Sequence, residues 1–101
     1  MTYKRIDDNQ KSIVTNLRRC GFTVTSLASI GKGCPDIIVG AYGINLLFEI
    51  KDGSKTPSQQ KLTPMEIEFR DSWKGQYNVV TNFDEAIKVI DMARKTFKLN
   101  K

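Results

Sequence analysis

Two short apolar runs, Ile37-Ile38-Val39 and Leu46-Leu47-Phe48, constrain the fold of this chain more than any other feature. A segment between them, Gly40-Ala41-Tyr42-Gly43, has the composition of a tight turn, so the two runs predict a β-hairpin. Consecutive apolar residues put hydrophobic side chains on both faces of each strand, and such strands occupy covered positions in a sheet. We therefore expect an α/β fold in which helices cover both faces of a small mixed sheet.

The predicted hairpin brings charged residues together at its open end. A two-residue loop at Tyr42-Gly43 sets a register in which Asp36 lies directly opposite Glu49, where cross-strand Cβ atoms are about 5 Å apart. Side chains alternate along a strand, so Glu49 and Lys51 lie on the same face. The register therefore predicts a cluster of Asp36, Glu49 and Lys51.

This cluster has the chemistry of a metal-dependent phosphodiesterase. Carboxylates at opposite strand positions repel each other, and a divalent cation between them removes that repulsion. Mg²⁺ prefers oxygen ligands and commonly uses one or two carboxylates with a substrate phosphate, so Asp36 and Glu49 are candidate ligands. Lys51 could orient or help to deprotonate a water on the metal, or stabilise the charge that develops on the phosphate.

A simpler interpretation needs no metal. Asp36 would cap the turn after Pro35, and Glu49 and Lys51 would lie on a solvated strand edge. We disfavour this interpretation because both strands are apolar on both faces, and isolated charges are costly in such a covered position.

The composition limits the other possibilities. The chain has 101 residues, which predicts one domain over 1–101, and a formal charge of +5, which favours a polyanionic partner. It contains no histidine, so it cannot itself supply a Ser-His or Cys-His triad or a histidine zinc site. Hydrolysis by this chain would therefore depend on carboxylates, lysine and a metal ion.

The sequence also favours an intracellular protein without a membrane partner. No apolar run is long enough to span a membrane, and the first residues lack the pattern of a secretory signal. Cys20 and Cys34 lack metal-site spacing and are predicted to be reduced, buried residues. We expect the protein in the cytoplasm.

Helix and strand signals predict the element order αβββαβα. Thr63, Pro64 and Glu66 form a helix start with a capping box, and Phe69 and Trp73 are predicted core residues of that helix. Residues 54–61 are polar and predict a mobile loop. The other predicted elements are a helix begun by Asp7 and ended by Gly21, a strand over 22–27, a strand over 77–80, and a last helix capped by Thr81 or Asn82.

Together these motifs resemble the PD-(D/E)xK nuclease superfamily, and within it the minimal phage and bacterial VRR-NUC domains, which are related to archaeal-type Holliday junction resolvases. The resemblance covers nearly the whole chain and rests on the segments Asn9-Gln10, Gly33-Cys34-Pro35-Asp36, Leu47-Phe48-Glu49-Ile50-Lys51-Asp52-Gly53, Leu62-Thr63-Pro64, and Trp73-Lys74-Gly75 before Val79-Val80. It implies a restriction-endonuclease-like core, with a mixed sheet of about four strands flanked by helices. It also implies Mg²⁺- or Mn²⁺-dependent cleavage of DNA phosphodiester bonds that leaves a 5′-phosphate.

The resemblance also implies roles for individual residues. The implied metal ligands and catalytic residues are Asp36, Glu49, Ile50 through its carbonyl, Lys51 and Gln10. Gln10 stands where many relatives carry a glutamate, and an amide oxygen could ligate the metal or hold a metal-bound water without bringing a charge. The alternative is that Gln10 serves as the capping-box residue of Asp7.

Glu66 is a second departure, because VRR-NUC domains usually have a glutamine at that place. A capping-box role explains Glu66, and the alternative is a contribution to the site that returns the charge missing at Gln10. If both departures weakened metal binding, the domain could keep the nuclease fold and lose the activity.

Basic residues near the site predict contacts with DNA. Lys32 lies between two glycines just before Asp36 and could contact the phosphate backbone, as could Lys55 and Lys61. We expect a structure-specific endonuclease that acts on branched or Holliday-junction DNA as a homodimer, in a bacterial or phage-infected cell. A two-fold pair could place two sites on two strands of a junction. The alternatives are a catalytically silent DNA-binding module with the nuclease fold, an enzyme acting on RNA, or an interaction subunit of a larger complex.

Overall fold

The computed structural model describes residues 8–99 of the chain, so the predicted cap at Asp7 lies outside the described residues. The elements in chain order are α1 (Asp8–Arg19), β1 (Thr23–Ser26), β2 (Ile37–Ala41), β3 (Ile44–Ile50), α2 (Pro57–Gln60), α3 (Pro64–Ser72), β4 (Asn78–Val80) and α4 (Phe83–Leu99). Within the described range, no helix has both the length and the apolar character needed to cross a membrane.

The four strands form one mixed sheet in the order β1-β2-β3-β4. Strands β1, β2 and β3 are antiparallel neighbours, and β4 pairs in parallel with β3. The crossover from β3 to β4 runs through α2 and α3, as a parallel pair requires a long connection. The predicted small α/β fold with a four-stranded mixed sheet and flanking helices is therefore confirmed.

The β2–β3 hairpin has the predicted two-residue loop. Ala41 pairs with Ile44, and the loop residues Tyr42 and Gly43 have φ angles of 54° and 77°. Positive φ at both loop positions is the geometry of a type I′ turn, whose twist matches that of the flanking strands. From this turn the register runs as predicted as far as the pair Ile37 and Phe48.

The core lies on one face of the sheet, under α1 and α4. Ile13 and Leu17 of α1 and Ala86 and Ile90 of α4 are buried there. They pack with alternating strand residues, namely Val24, Ile37, Val39, Ala41, Leu46, Phe48, Ile50 and Val80. Residues 46–50 of β3 are all buried, so the central strand is covered on both faces, as its apolar run predicted.

The predicted loop over 54–61 contains a short helix, α2, so the predicted element order is one helix short. Thr56 stands at its N-cap, Pro57 follows at the first helical position, and the Gln59 side chain accepts a hydrogen bond from the Thr56 N–H at 3.3 Å. This is the same start signal as Thr63-Pro64, so the sequence carried evidence for the helix that its polar composition obscured.

Helix α3 begins as predicted but contributes little to the core. Its predicted core residue Trp73 is 46% exposed and Phe69, which stacks on it with ring centroids 5.2 Å apart, is only partly buried. The helix ends at Ser72, because Trp73 adopts an extended conformation as the C-cap. Glu66 in the first turn is the buried residue of this helix, and Phe69 further along contacts Tyr77, with ring centroids 6.1 Å apart.

The two cysteines are free thiols, but the prediction that both are buried was wrong. Cys20 is exposed because it follows the last turn of α1, where its N–H bonds back to the helix. Cys34 is partly buried in the loop before β2.

Gly33 fixes the approach of the β1–β2 loop to α3. Its φ is 77°, and a Cβ at this position would overlap the Met65 carbonyl oxygen. Gly31, two residues earlier, has a similar φ of 70°, but a Cβ there would meet nothing within 4 Å. An alanine at Gly31 would therefore suffer only from the left-handed backbone conformation, whereas an alanine at Gly33 would also clash with α3.

We predict that Gly31→Ala lowers the free energy of unfolding by about 1 kcal/mol, the cost of a left-handed alanine. Gly33→Ala should cost clearly more, because it must also push the first turn of α3 away from the loop. Urea unfolding followed by circular dichroism measures both losses. Equal losses for the two variants would contradict the proposed packing of Gly33 on α3.

Candidate active site

Two buried carboxyl groups lie at the ends of the two central strands. Asp36 directly precedes β2 and is 3% exposed, and Glu49 lies in β3 and is 1% exposed. The interpretation that Glu49 belongs to a solvated strand edge is therefore wrong. The sheet covers this residue with a strand on either side, since β3 pairs with both β2 and β4.

The pairing of Asp36 differs from the prediction. Its N–H donates to the Phe48 carbonyl at 3.0 Å, although Phe48 is already the partner of Ile37. Phe48 thus opposes two consecutive residues, which is the arrangement of a β-bulge, and the direct pair of Asp36 with Glu49 is absent. Bulges redirect side chains, and here the Asp36 Oδ2 accepts a hydrogen bond from the Ile50 N–H at 2.6 Å.

Lys51 is held by both its main chain and its side chain. Its N–H donates to the Val80 carbonyl at 3.0 Å, and its own carbonyl accepts from the Asn9 Nδ2 at 2.9 Å. The Lys51 Nζ lies 2.8 Å from the Glu66 Oε1 and 3.8 Å from the Glu49 Oε2. The predicted proximity of Lys51 to Glu49 is therefore present, and Glu66 is the nearer of the two carboxylates.

Glu66 has the predicted capping-box role and a second contact. Its N–H donates to the Thr63 Oγ1 at 3.2 Å, and its Oε1 accepts from the Thr63 N–H at 2.9 Å. The same Oε1 accepts from the Lys51 ammonium group. One carboxylate oxygen therefore links the start of α3 to the candidate catalytic lysine.

Gln10 in α1 is buried, with 5% of its surface exposed, although its amide group is polar. It lines a cleft of about 220 Å³ between α1 and the first two strands, together with Ile37, the residue after Asp36. Lys11 and Arg18 line the same cleft, where the Arg18 guanidinium donates to the Val24 carbonyl at 2.9 Å. Because Asp7 lies outside the described residues, the capping alternative for Gln10 is not described by the structure.

Asn9 belongs to the segments that carry the family resemblance, but the sequence alone indicates no role for its side chain. Its Nδ2 donates to the Lys51 carbonyl at 2.9 Å and to the Thr81 carbonyl at 3.1 Å, so it ties α1 to the ends of β3 and β4. Its position beside Gln10 was the only available signal, because the two acceptors are distant in sequence.

The predicted DNA-binding lysines are all exposed. Lys32 lies between Gly31 and Gly33 in a left-handed conformation, with φ 57°, in the loop that leads to Asp36. Lys55 and Lys61 are exposed on either side of α2, which follows β3 in the chain.

Asp52 organises the turn that follows the site strand. The Ser54 hydroxyl and N–H donate to its Oδ1 at 2.7 and 2.9 Å, and these bonds, with nearby Lys55, hold the pKa of Asp52 below its ordinary value. A lowered pKa means that the charged carboxylate stabilises the folded protein. This stabilisation is present above the ordinary aspartate pKa and is lost as the pH falls through the lowered pKa of Asp52. Because the carboxyl group is solvent-exposed, the turn gains little stability from its charge.

The donor set suits a hard divalent cation but is small. Among the described residues, no three His, Cys, Asp or Glu side chains are grouped as a metal site. The predicted set contains only two carboxylates, those of Asp36 and Glu49. Its other ligands would be the Gln10 amide oxygen and the Ile50 main-chain carbonyl. Mg²⁺ commonly binds proteins through only one or two carboxylates, so Asp36 and Glu49 fit it in kind and number.

Comparison with known proteins assigns no family. The chain matches no family model, no curated protein and no solved structure. The residues of the site therefore carry the functional argument.

We predict that Asn9→Ala lowers the free energy of unfolding by about 1 to 3 kcal/mol, because it leaves two main-chain carbonyls without their donor. Asn16→Ala, which makes the same change about two turns further along α1, is the matched control and should cost less. Thermal and urea unfolding measure the difference. Equal costs would mean that the contacts of Asn9 add nothing to stability.

Proposed function

We propose that this chain is a Mg²⁺-dependent DNA endonuclease that hydrolyses phosphodiester bonds, with a restriction-endonuclease-like fold of the VRR-NUC type. The main support is the burial of Asp36 and Glu49 at the ends of neighbouring strands, with the Lys51 ammonium group 3.8 Å from the Glu49 carboxylate. Buried carboxylates and an adjacent lysine are costly to maintain and are typical of functional sites. The order of Pro35-Asp36 and Glu49-Ile50-Lys51 in the sequence, which resembles the nuclease motif, adds further support.

Asp36 and Glu49 would hold the metal, with the Ile50 carbonyl and the Gln10 amide oxygen as further ligands. The hydrogen bond from the Ile50 N–H orients the Asp36 carboxylate, and the same peptide segment carries the proposed carbonyl ligand. When bound, Mg²⁺ would polarise the phosphate and increase the acidity of water, or Mn²⁺ would do so in its place. Gln10 would contribute an oxygen without a charge, so the set relies on two carboxylates.

Lys51 would act on the phosphate or on the attacking water. Its side chain is 15% exposed, so it would remain accessible to a substrate while its ammonium group stays bonded to Glu66. A fixed positive charge of this kind stabilises the negative charge that grows on the phosphate oxygens during hydrolysis.

The charge distribution supports a nucleic acid substrate. The chain carries a formal charge of +5, and Lys32 precedes the site in a loop that Gly33 packs onto α3. Lys55 and Lys61 would contact the backbone beyond β3, and the cleft lined by Lys11 and Arg18 would accept phosphates beside Gln10. These contacts position a strand without reading its sequence, which fits a structure-specific enzyme.

Branched or Holliday-junction DNA is the proposed substrate, and a homodimer is the proposed active form. One domain of this size covers little DNA, and two sites related by a two-fold axis could cut two strands of a junction. The free thiols of Cys20 and Cys34 fit the reducing cytoplasm of a bacterial or phage-infected cell. Comparing cleavage of linear, nicked, forked and four-way DNA and of RNA tests the substrate, and light scattering tests the dimer.

We predict that Asp36→Asn and Lys51→Ala abolish cleavage of four-way DNA in Mg²⁺. The asparagine retains an oxygen that can accept from the Ile50 N–H, so the fold should survive while the charge is lost. DNA binding should remain close to that of the unmodified protein in gel-shift assays. Asp71→Asn, at an exposed carboxylate on α3, is the control. Cleavage that survives in purified Asp36→Asn protein would refute the proposal.

A catalytically silent DNA-binding module is the second candidate. It is favoured by Gln10, which replaces a charged ligand of the implied family with an amide. Titration calorimetry with Mn²⁺ separates the two functions, because the enzyme predicts binding that Asp36→Asn removes. The silent module predicts no binding that depends on this carboxylate.

A further inference from the structure

We infer that Glu66 is a positioning residue that holds the Lys51 ammonium group in place for the reaction. The contact between Glu66 and Lys51 is observed in the structure, and its role in a reaction rests on the proposed nuclease function. The Glu66 Oε1 lies 2.8 Å from the Lys51 Nζ, at a side chain that is only 7% exposed. Charge-assisted hydrogen bonds of this length are among the stronger polar contacts in proteins.

Two acidic residues, Glu49 and Glu66, lie within 4 Å of the Lys51 ammonium group, and which of them binds it affects the proposed metal site. The Lys51 Nζ is 1.0 Å closer to Glu66 than to Glu49, at 2.8 Å against 3.8 Å. Glu49 is a proposed metal ligand, and a lysine bonded closely to it would oppose cation binding. By drawing the ammonium group toward α3, Glu66 keeps Lys51 beside the site without joining it to the ligand.

The first turn of α3 gives Glu66 a rigid support. The Thr63 N–H donates to the same Oε1 at 2.9 Å, and the Glu66 N–H donates to the Thr63 Oγ1 at 3.2 Å. The backbone of Gly33 packs against Met65 and Glu66 from the other side. The carboxylate is therefore fixed by its own helix before it contacts the lysine.

Capping alone does not require a carboxylate. Glutamine closes a capping box as well as glutamate does, because only an oxygen acceptor is needed. The ammonium group, in contrast, is held more strongly by a charged acceptor. Glu66→Gln therefore keeps the capping bond and weakens the contact with Lys51, whereas Thr63→Ala weakens the cap and keeps the ion pair.

The test combines cleavage kinetics with a measurement that needs neither metal nor DNA. Single-turnover and steady-state cleavage of four-way DNA is measured across Mn²⁺ concentrations for the unmodified protein and both variants. In parallel, reductive methylation followed by mass spectrometry compares the reactivity of Lys51 with that of the exposed Lys55 and Lys61 in metal-free protein. Circular dichroism checks that each variant is folded.

For Glu66→Gln we expect a kcat about 10- to 100-fold lower, as the loss of one charge-assisted contact implies, with little change in the KM for DNA. The Mn²⁺ concentration for half-maximal rate should rise, because Lys51 moves toward Glu49. Methylation of Lys51 should become faster relative to Lys55. Thr63→Ala removes the hydroxyl acceptor but keeps the main-chain N–H that bonds to the Glu66 Oε1, so it should lower the melting temperature and change kcat and Lys51 reactivity clearly less than Glu66→Gln does.

Unchanged kcat and unchanged Lys51 reactivity in folded Glu66→Gln protein would overturn the inference. Equal losses of kcat in Glu66→Gln and Thr63→Ala would also overturn it, because capping would then explain the effect. If Glu66→Gln does not fold, the unmodified protein still decides, since Lys51 methylated as fast as Lys55 refutes the contact. A protein that never cleaves would refute the proposed function, while methylation would still test the position of Lys51.

Discussion

The covered β2–β3 hairpin is the constraint on which the rest of the structure depends. Its apolar residues need to be covered on both faces, and its type I′ turn fixes which side chains meet. The acidic residues at the ends of these strands are therefore buried, whether or not their burial stabilises the fold. Asp36 and Glu49 are accommodated there by contacts from the neighbouring backbone and from Lys51.

The sequence predicted the features that depend on short-range rules. The hairpin register, the capping box of Thr63 and Glu66, and the burial of Glu49 follow from periodicity and local hydrogen bonding. The bulge at Asp36 escaped prediction because it is a change of pairing by one residue, which no side-chain pattern reveals. Helix α2 escaped because polar composition outweighed its Thr56-Pro57 start signal.

Long-range contacts account for the remaining differences. Nothing in the sequence predicts that Asn9 spans to Lys51, or that Glu66 reaches the same lysine from another helix. Trp73 was expected in the core because it continues the apolar spacing of α3, yet the helix ends at Ser72 and Trp73, as its C-cap, is exposed. Such outcomes depend on how elements pack, and a single sequence contains little information about that.

The shared oxygen of Glu66 has a consequence for how the protein responds to heat. Local opening costs less free energy than global unfolding, so the first turn of α3, although its capping box holds it in the native state, can open while the core stays folded. Such an opening would release Lys51 at the same moment, because one atom serves both contacts. Warming would then free the Lys51 side chain at a temperature below that of global melting, and cooling would restore its contact with Glu66 without refolding of the sheet.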